Sequence, residues 1–341
     1  MKLQAAITSS SFLVTLIMFQ LPAAWYQMLQ LAHAAQQSQQ IQPGFYNITC
    51  PTAESIVTSA IRSAHDSDPT VTASLIRLQF HDCFVSGCDA SILLTGSNSE
   101  QDQLPNLSVR GFDVIAAAKS TLELTCPRTV SCADIIALAA RDAVAILGGP
   151  SYIVPTGRFD GASPGIVNLP SPNSTVPESM QFFTAVGLTT QDMVNLLGAH
   201  TVGSAQCQFF TDRLYNFLGT GQPDPSLNTT YLETLQATCP NKQATAAVND
   251  TMMAVALDDG SQFNFDTSYF TNIQNNKGLL RIDAEIGSDP STSAIVNTLA
   301  ANANPSSLFD KSFVSSIVAM GEIGVLASGT VRTVCSDIAT A

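Results

Sequence analysis

Charge is scarce in this chain, and positive charge most of all. Lys and Arg number 14 against 27 Asp and Glu in 341 residues, a formal net charge of −13. No basic run occurs anywhere, and phosphate contacts need clustered cations, so nucleic acid is excluded as a partner. Histidine is rarer still, with four residues, and the single tryptophan, Trp25, lies near the N-terminus in a leader-like segment. There is no CxxC pair to suggest zinc. There is no GxSxG elbow, and so no candidate hydrolase nucleophile. No internal repeat is visible, and after the leader no run reaches the ~20 apolar residues that a membrane span needs. A hydrophobic fraction of 45% with 12% charged residues excludes a disordered polymer. A chain this long can bury a core as one large or two modest domains.

What is present begins with the leader. Lys2 supplies a weak positive start, Phe12 to Met18 (FLVTLIM) an apolar stretch, and Ala32-His33-Ala34 a small-x-small cleavage pattern. A buried or membrane-anchoring helix is the competing reading, but Gln20 and Pro22 interrupt the stretch. A cleaved signal over residues 1–35 is therefore expected, leaving a Gln-rich start at Gln36 to Gln40 and no tryptophan. Cys50, Cys83, Cys88, Cys126, Cys132, Cys207, Cys239 and Cys335 come after it. An even count behind a signal peptide implies four disulfides, and spacing alone leaves 105 pairings open. Sequons at Asn47, Asn106, Asn173, Asn228 and Asn249 fit secretion.

Apolar residues recur at three- and four-residue steps over Ala53 to His65, Pro69 to Phe84, Val114 to Leu124, Cys132 to Leu147, Thr190 to Leu197, Ser293 to Ala303 and Ser307 to Met320. Thr189 precedes Asp192 by three, a capping-box pattern, and Pro177-Glu178 opens another helix. Gly148-Gly149-Pro150 ends the helix that contains Asp134. Strand candidates are few and short, so the class is mainly α. Long loops rich in Gly, Pro and Asn span Tyr152 to Thr175 and Asn216 to Thr230; loops of that length are often functional. A soft boundary near Pro177 separates two helical halves, and Cys335 suggests that the C-terminus is tied back to an earlier helix.

The sharpest chemical signal is Arg77-Leu78-Gln79-Phe80-His81-Asp82-Cys83. On a helix, Arg77 and His81 share a face, with Phe80 beside them. A fixed cation next to a titratable imidazole suits proton movement with stabilisation of a developing anion. Taken alone, this pattern is also that of a surface Arg near a helix-end His. However, His81 and His200 both end strongly apolar helices, SLIRLQFH and MVNLLGAH. Apolar surroundings disfavour the charged ring, so each is suited to act as a neutral base or a metal ligand. His65, between Ala64 and Asp66, is read as merely exposed.

Three segments, RLQFHDCFVSGCDASILL, RTVSCADIIALAARDAVAILGGPSY and LLGAHTVGSAQC, together resemble the secretory plant peroxidases, class III of the haem peroxidase superfamily. The likeness runs from about Gln40 to Cys335. It implies two helical subdomains with haem b between them: a distal half at about 40–176, a proximal half at about 177–306, and a C-terminal helix and tail at 307–341 returning to the distal half. It implies reduction of hydrogen peroxide and one-electron oxidation of phenolic donors. His200 matches the proximal iron ligand and His81 the distal base. Arg77 matches the group that stabilises charge as the O–O bond breaks. Phe80 matches the residue packed over the haem. Asn106 matches the acceptor for the distal imidazole, and Glu100 the acid that orients it. Asp283 matches the carboxylate behind the proximal imidazole. The Pro170 carbonyl, with Arg77, matches the polar contact for a phenol.

Two Ca²⁺ sites are also implied by the resemblance. The distal one would use Asp82, Val85, Gly87, Asp89 and Ser91, and the proximal one Thr201, Asp258, Ser261, Asn264 (carbonyl) and Asp266, oxygen donors that suit a hard cation. The implied pairing is Cys50–Cys126, Cys83–Cys88, Cys132–Cys335 and Cys207–Cys239, with Asp134 and Arg158 as a buried ion pair. An extracellular, cell-wall location and a monomer are expected, the vacuole being less favoured.

Several positions depart from the family's pattern. Val202 stands where Phe is usual beneath the haem, Ile282 for Ser beside Asp283, Tyr152 for Trp, Phe159 for Arg, and Ser261 for Thr. One residue is missing between Asn106 and Arg110, which creates the Asn106-Leu107-Ser108 sequon; a glycan there would block the bond to His81, so it is expected to be unmodified. Pro170 and Pro172 fall in the loop that frames access to the haem edge. Leu104 and Phe209 are expected as apolar walls, with Asn173 and Ser174 making the rim more polar or more open. The alternative function is a secreted Ca²⁺-binding glycoprotein of the same fold with little turnover; retention of Arg77, His81 and His200 argues against it.

Overall fold

The computed structural model describes residues 41–241, 253–301 and 308–337. The leader with its cleavage pattern, Trp25, the Asn249 sequon, residues 302–303 and Ser307 lie outside them. The chain from residue 41 onward forms one compact unit. Among the described residues it is mainly helical, with the fold expected of a plant peroxidase. In chain order the helices are α1 (Ala53–Ser67), α2 (Val71–Cys83), α3 (Phe112–Thr125), α4 (Cys132–Ile146), α5 (Val176–Ala185) and α6 (Thr190–Leu197). They continue as α7 (Thr211–Tyr215), α8 (Thr229–Thr238), α9 (Ser268–Gln274), α10 (Arg281–Ser288), α11 (Ser293–Ala300) and α12 (Leu308–Met320). The only strands described, β1 (Ser204–Gln206) and β2 (Ala254–Ala256), pair antiparallel with Ala205 opposite Val255.

Helix α4 is the pillar of the structure. Every residue from Cys132 to Val144 is buried, as expected of a helix that is apolar nearly all round. Ser131 caps it by accepting from the Asp134 amide at 3.1 Å. Gly148, at φ +86°, ends it, and Gly149 lets Phe265 and Val144 come so close that a Cβ would sit 2.7 Å from each. Asp134 can be buried here because Arg158 Nη1 donates to it at 2.8 Å, Tyr46 OH at 2.6 Å and the Gly157 amide at 2.6 Å. Helices α1 and α2 both pack on this pillar. Pro69 stays outside α2: the Thr70 amide donates to Asp68 Oδ1 at 3.0 Å, forming a turn that delays the helix to Val71.

Helices α5 and α6 open with capping boxes, Thr175 with Glu178 and Thr189 with Asp192. Four helices that the periodicity does not announce, α7 to α10, run five to ten residues each, too short to show a clear repeat. Helix α8 takes up the end of the expected Asn216 to Thr230 loop, with Asn228 as its cap. Helix α12 packs on α6, where Asn195 Nδ2 donates to Ser316 Oγ at 3.0 Å and that hydroxyl donates to Asp192 Oδ1 at 2.7 Å. The end of α12 and the tail after it meet the first half, beginning with the Met320 carbonyl, which lies 3.1 Å from Cys88 Sγ. There the Gly321 carbonyl accepts from Arg158, Asp160 bridges to Thr330, and Cys335 bonds to Cys132 at the start of α4. The other disulfides are Cys50–Cys126, Cys83–Cys88 and Cys207–Cys239.

Candidate active site

Helix α2 carries Arg77, Phe80 and His81 on one face toward a cavity of about 480 Å³. Its lining is largely apolar and includes Leu196, Leu197, Val202, Phe209, Ile282 and Phe313. His200 faces the same cavity from a 3-10 turn, Gly198–Thr201, at the end of α6. Gly198 is required at the head of that turn: a Cβ would lie 2.4 Å from the Phe309 ring, so only glycine lets the turn settle onto the aromatic cluster of Phe270, Phe309 and Phe313.

The two imidazoles are held differently. His81, 5% exposed, has Nδ1 2.6 Å from Asn106 Oδ1. Asn106 is itself turned by its Nδ2, which donates to the Glu100 carbonyl at 2.9 Å. An amide oxygen can only accept, so it assigns the proton to Nδ1 and leaves Nε2 as a bare base. Burial first, then the Arg77 charge, pushes His81 down to about 3, against the Asn106 bond, which favours the charged ring. Burial also lowers the Arg77 guanidinium to about 10. That side chain is held at the cavity wall by donating to Ser108 Oγ at 3.1 Å and to the Pro105 carbonyl at 3.2 Å.

His200 Nδ1 lies 2.8 Å from Asp283 Oδ1. Asp283 is fully buried and also accepts from Tyr269 OH at 2.9 Å and from the Leu280 amide at 2.9 Å, the latter opening α10. A carboxylate acceptor makes the ring more basic at its free nitrogen, which favours binding a metal. Sequence reasoning misses Tyr269, because nothing marks a tyrosine 69 residues away from His200 as a partner of this carboxylate. Two imidazoles with bare nitrogens across one apolar cavity fit a haem, whose flat apolar face needs such a lining and whose iron takes an imidazole.

Glu100 orients Asn106 as expected, and does so through its backbone carbonyl, while its Oε1 accepts from the Gly165 amide at 2.6 Å. Three expectations need correction. Leu104 is no wall of the cavity: it is 82% exposed, because the short turn Leu104–Asn106 sends Asn106 inward and Leu104 out. Asn173 and Ser174 likewise do not line the cavity, whereas Pro170 and Pro172 do. His65 is half-buried, 3.4 Å from Thr72 Oγ1.

The distal loop holds Asp82, Val85, Gly87, Asp89 and Ser91 around the Cys83–Cys88 bridge. Gly87, at φ +98°, packs directly on Gly324, where no side chain would fit. Asp82 Oδ1, Ser91 Oγ and Glu100 Oε2 are buried without a hydrogen-bond partner. Burial, then the charges of Asp89 and Glu100, raises the Asp82 carboxyl well above its ordinary range. Stranded oxygens among like charges are the chemistry of a hard-cation site. Around the proximal loop, Thr201 Oγ1 lies 3.3 Å from Asp258 Oδ2, 3.3 Å from the Asn264 carbonyl and 3.4 Å from Asp266 Oδ1. Ser261 Oγ donates to Asp266 Oδ2 at 2.8 Å. Ser268 and Asn272, which the sequence does not single out, also bond this carboxylate pair. Among the described residues no three His, Cys, Asp or Glu side chains enclose a metal by themselves, so a cation at either loop would rely on hydroxyl and carbonyl oxygens as well.

A mainly helical chain with opposed imidazoles across an apolar cavity has the form of a haem-binding protein. Residues 57–302 match the family model described as peroxidase. The chain is 47% identical over 300 residues to Peroxidase 57 of Arabidopsis thaliana, covering 87% of this chain and 92% of that protein. It is 46% identical to Peroxidase N1 of Nicotiana tabacum, covering 86% and 89%, and 45% identical to Peroxidase 15 of Ipomoea batatas, covering 87% and 92%. The chain belongs to the plant class III branch of the peroxidase family. Membership implies haem as cofactor, with hydrogen peroxide and a donor as substrates.

Proposed function

We propose that this chain reduces hydrogen peroxide at a haem b held between His81 and His200 and oxidises phenolic donors by successive one-electron steps. Two phenols each lose one hydrogen atom, and the peroxide becomes two waters. The observation that carries this reading is the unequal partnering of the two imidazoles across one cavity, an amide oxygen behind His81 and a buried carboxylate behind His200. Bound there, haem supplies the redox-active iron that takes peroxide's two oxidising equivalents.

The protein's own residues do the rest. His200 Nε2 would hold the iron, and Asp283, accepting from Nδ1, keeps that nitrogen protonated and Nε2 free. His81 Nε2, neutral at working pH, takes a proton from the attacking peroxide oxygen and hands it to the departing one. Arg77, fixed by Ser108 and the Pro105 carbonyl, stabilises the negative charge that grows as the O–O bond breaks. Phe80, beside His81 in the cavity lining, would pack against the haem, and a donor would be met by the Pro170 carbonyl and Arg77. Ca²⁺ at the loop after His81, and a second at Thr201 next to His200, would brace both imidazoles from behind. Secretion belongs to the same reading, since four disulfides suit an oxidising compartment.

The test is His81→Leu in holoenzyme. Haem stays bound, with its Soret band intact, while the rate of the peroxide reaction falls by at least ~10²-fold, as for loss of a general base. A variant that reacts as fast as wild type refutes the assignment.

A further inference from the structure

Outside the cavity mouth, the 103–108 turn and the 165–170 strap carry apolar side chains that are exposed among the described residues. Leu104 is 82% exposed, Leu107 65% and Ile166 87%. The Gln103 side chain stitches the two segments together, donating to the Gly165 carbonyl at 3.0 Å and accepting from the Val167 amide at 2.8 Å. Ile166 is therefore held beside the turn that bears both leucines. The segments are continuous with the cavity itself: Pro105 and Ser108 on one, and Leu169 and Pro170 on the other, line it. Neither segment contains a charged residue, in a chain of net charge −13. Exposed apolar side chains on adjacent segments beside a binding cavity are a mark of ligand contact.

We infer that this rim is an outer subsite for long, uncharged aromatic donors, phenolic oligomers whose reacting ring sits at Pro170 and Arg77 while the next rings lie over Leu104, Leu107 and Ile166. The inference rests on the peroxidase function proposed for this chain and names its substrate class. With haem filling the cavity, a donor meets the protein at this mouth, where a small phenol reaches only the inner edge. An oligomer covers the apolar shelf as well and gains affinity by burying it. An anionic donor of the same length gains less there, since neither segment offers a cation and Arg110, just after the turn, is already paired with Asp68.

The experiment compares kcat/KM for a neutral phenolic monomer and a neutral phenolic tetramer of the same repeat unit, in holoenzyme with peroxide saturating. The combined Leu104→Ser, Leu107→Ser and Ile166→Ser variant loses roughly tenfold for the tetramer, as expected for partial uncovering of three aliphatic side chains, and less than twofold for the monomer. Leu124→Ser, at an equally exposed leucine on α3, changes neither. Equal losses for both donors, no loss for the tetramer, or the same loss in Leu124→Ser overturns the subsite while leaving peroxidase activity standing. A wild-type holoenzyme that oxidises neither donor removes the parent reading, and this inference with it.

Discussion

Replacing Asn106 with valine isolates the part of the distal site that neither imidazole nor guanidinium supplies. The substitution keeps an apolar volume near the original and removes the acceptor 2.6 Å from His81 Nδ1. It also leaves the Glu100 carbonyl without the Nδ2 donor it now has. Loss of a buried hydrogen bond of this kind is worth ~1–3 kcal/mol, or about 5- to 150-fold in the rate of peroxide reaction. The direction on the pH axis is more telling than the size. His81 works as a neutral base, so the rate falls as pH drops through its pKa, which burial and Arg77 hold down at about 3. The Asn106 bond stabilises the charged ring. Removing it therefore lowers that pKa further, and the acid limb moves to lower pH even as the plateau falls. Asn106→Asp does the opposite, since a carboxylate favours the imidazolium and pulls the limb upward. Stopped-flow rates against peroxide between about pH 2 and 7 measure both, since that range extends to either side of the folded ring's value near 3. A plateau within twofold of wild type, or an acid limb that rises in Asn106→Val, refutes the role given to this side chain.

The same depression of His81 makes the fold acid-sensitive. The unfolded ring gains its proton near 6.5 and the folded one only near 3, so stability present above pH 6.5 is lost progressively as pH falls between those values, as denaturant titrations in that window would show. Asp283→Asn should weaken haem retention about 10- to 100-fold, as for other partners of a ligating histidine, read by haem transfer to an acceptor apoprotein; unchanged retention would count against it. Chelation should lower the melting temperature of the holoenzyme, and Ca²⁺ at ~100 times its dissociation constant should restore ~3 kcal/mol; a melt indifferent to chelator would empty both loops of cation. Cys335→Ser with Cys132→Ser opens a closure across 203 residues, worth ~5 kcal/mol on the chain-entropy model, and should lower the denaturant midpoint without altering the Soret band.

Apolar spacing and capping residues set out α1 to α6, α11 and α12 in the sequence itself, because local hydrogen bonds and periodic burial are properties of neighbouring residues. The segment from Arg77 to Cys83 puts a cation and an imidazole on one helical face for the same reason. Contacts between distant segments are not readable in this way. Tyr269 finds Asp283 only because α9 is folded back beneath the His200 turn. Glu100 serves Asn106 through its backbone, a choice made by how the 100–106 turn lies against Gly165. Leu104 points outward although Asn106, two residues on, points in, because one short turn cannot face both ways. Helix periodicity and motif spacing are written in the order of the chain. Which oxygen is stranded, which ring nitrogen stays bare and which leucine meets water depend on how distant segments pack, and only the assembled fold decides them.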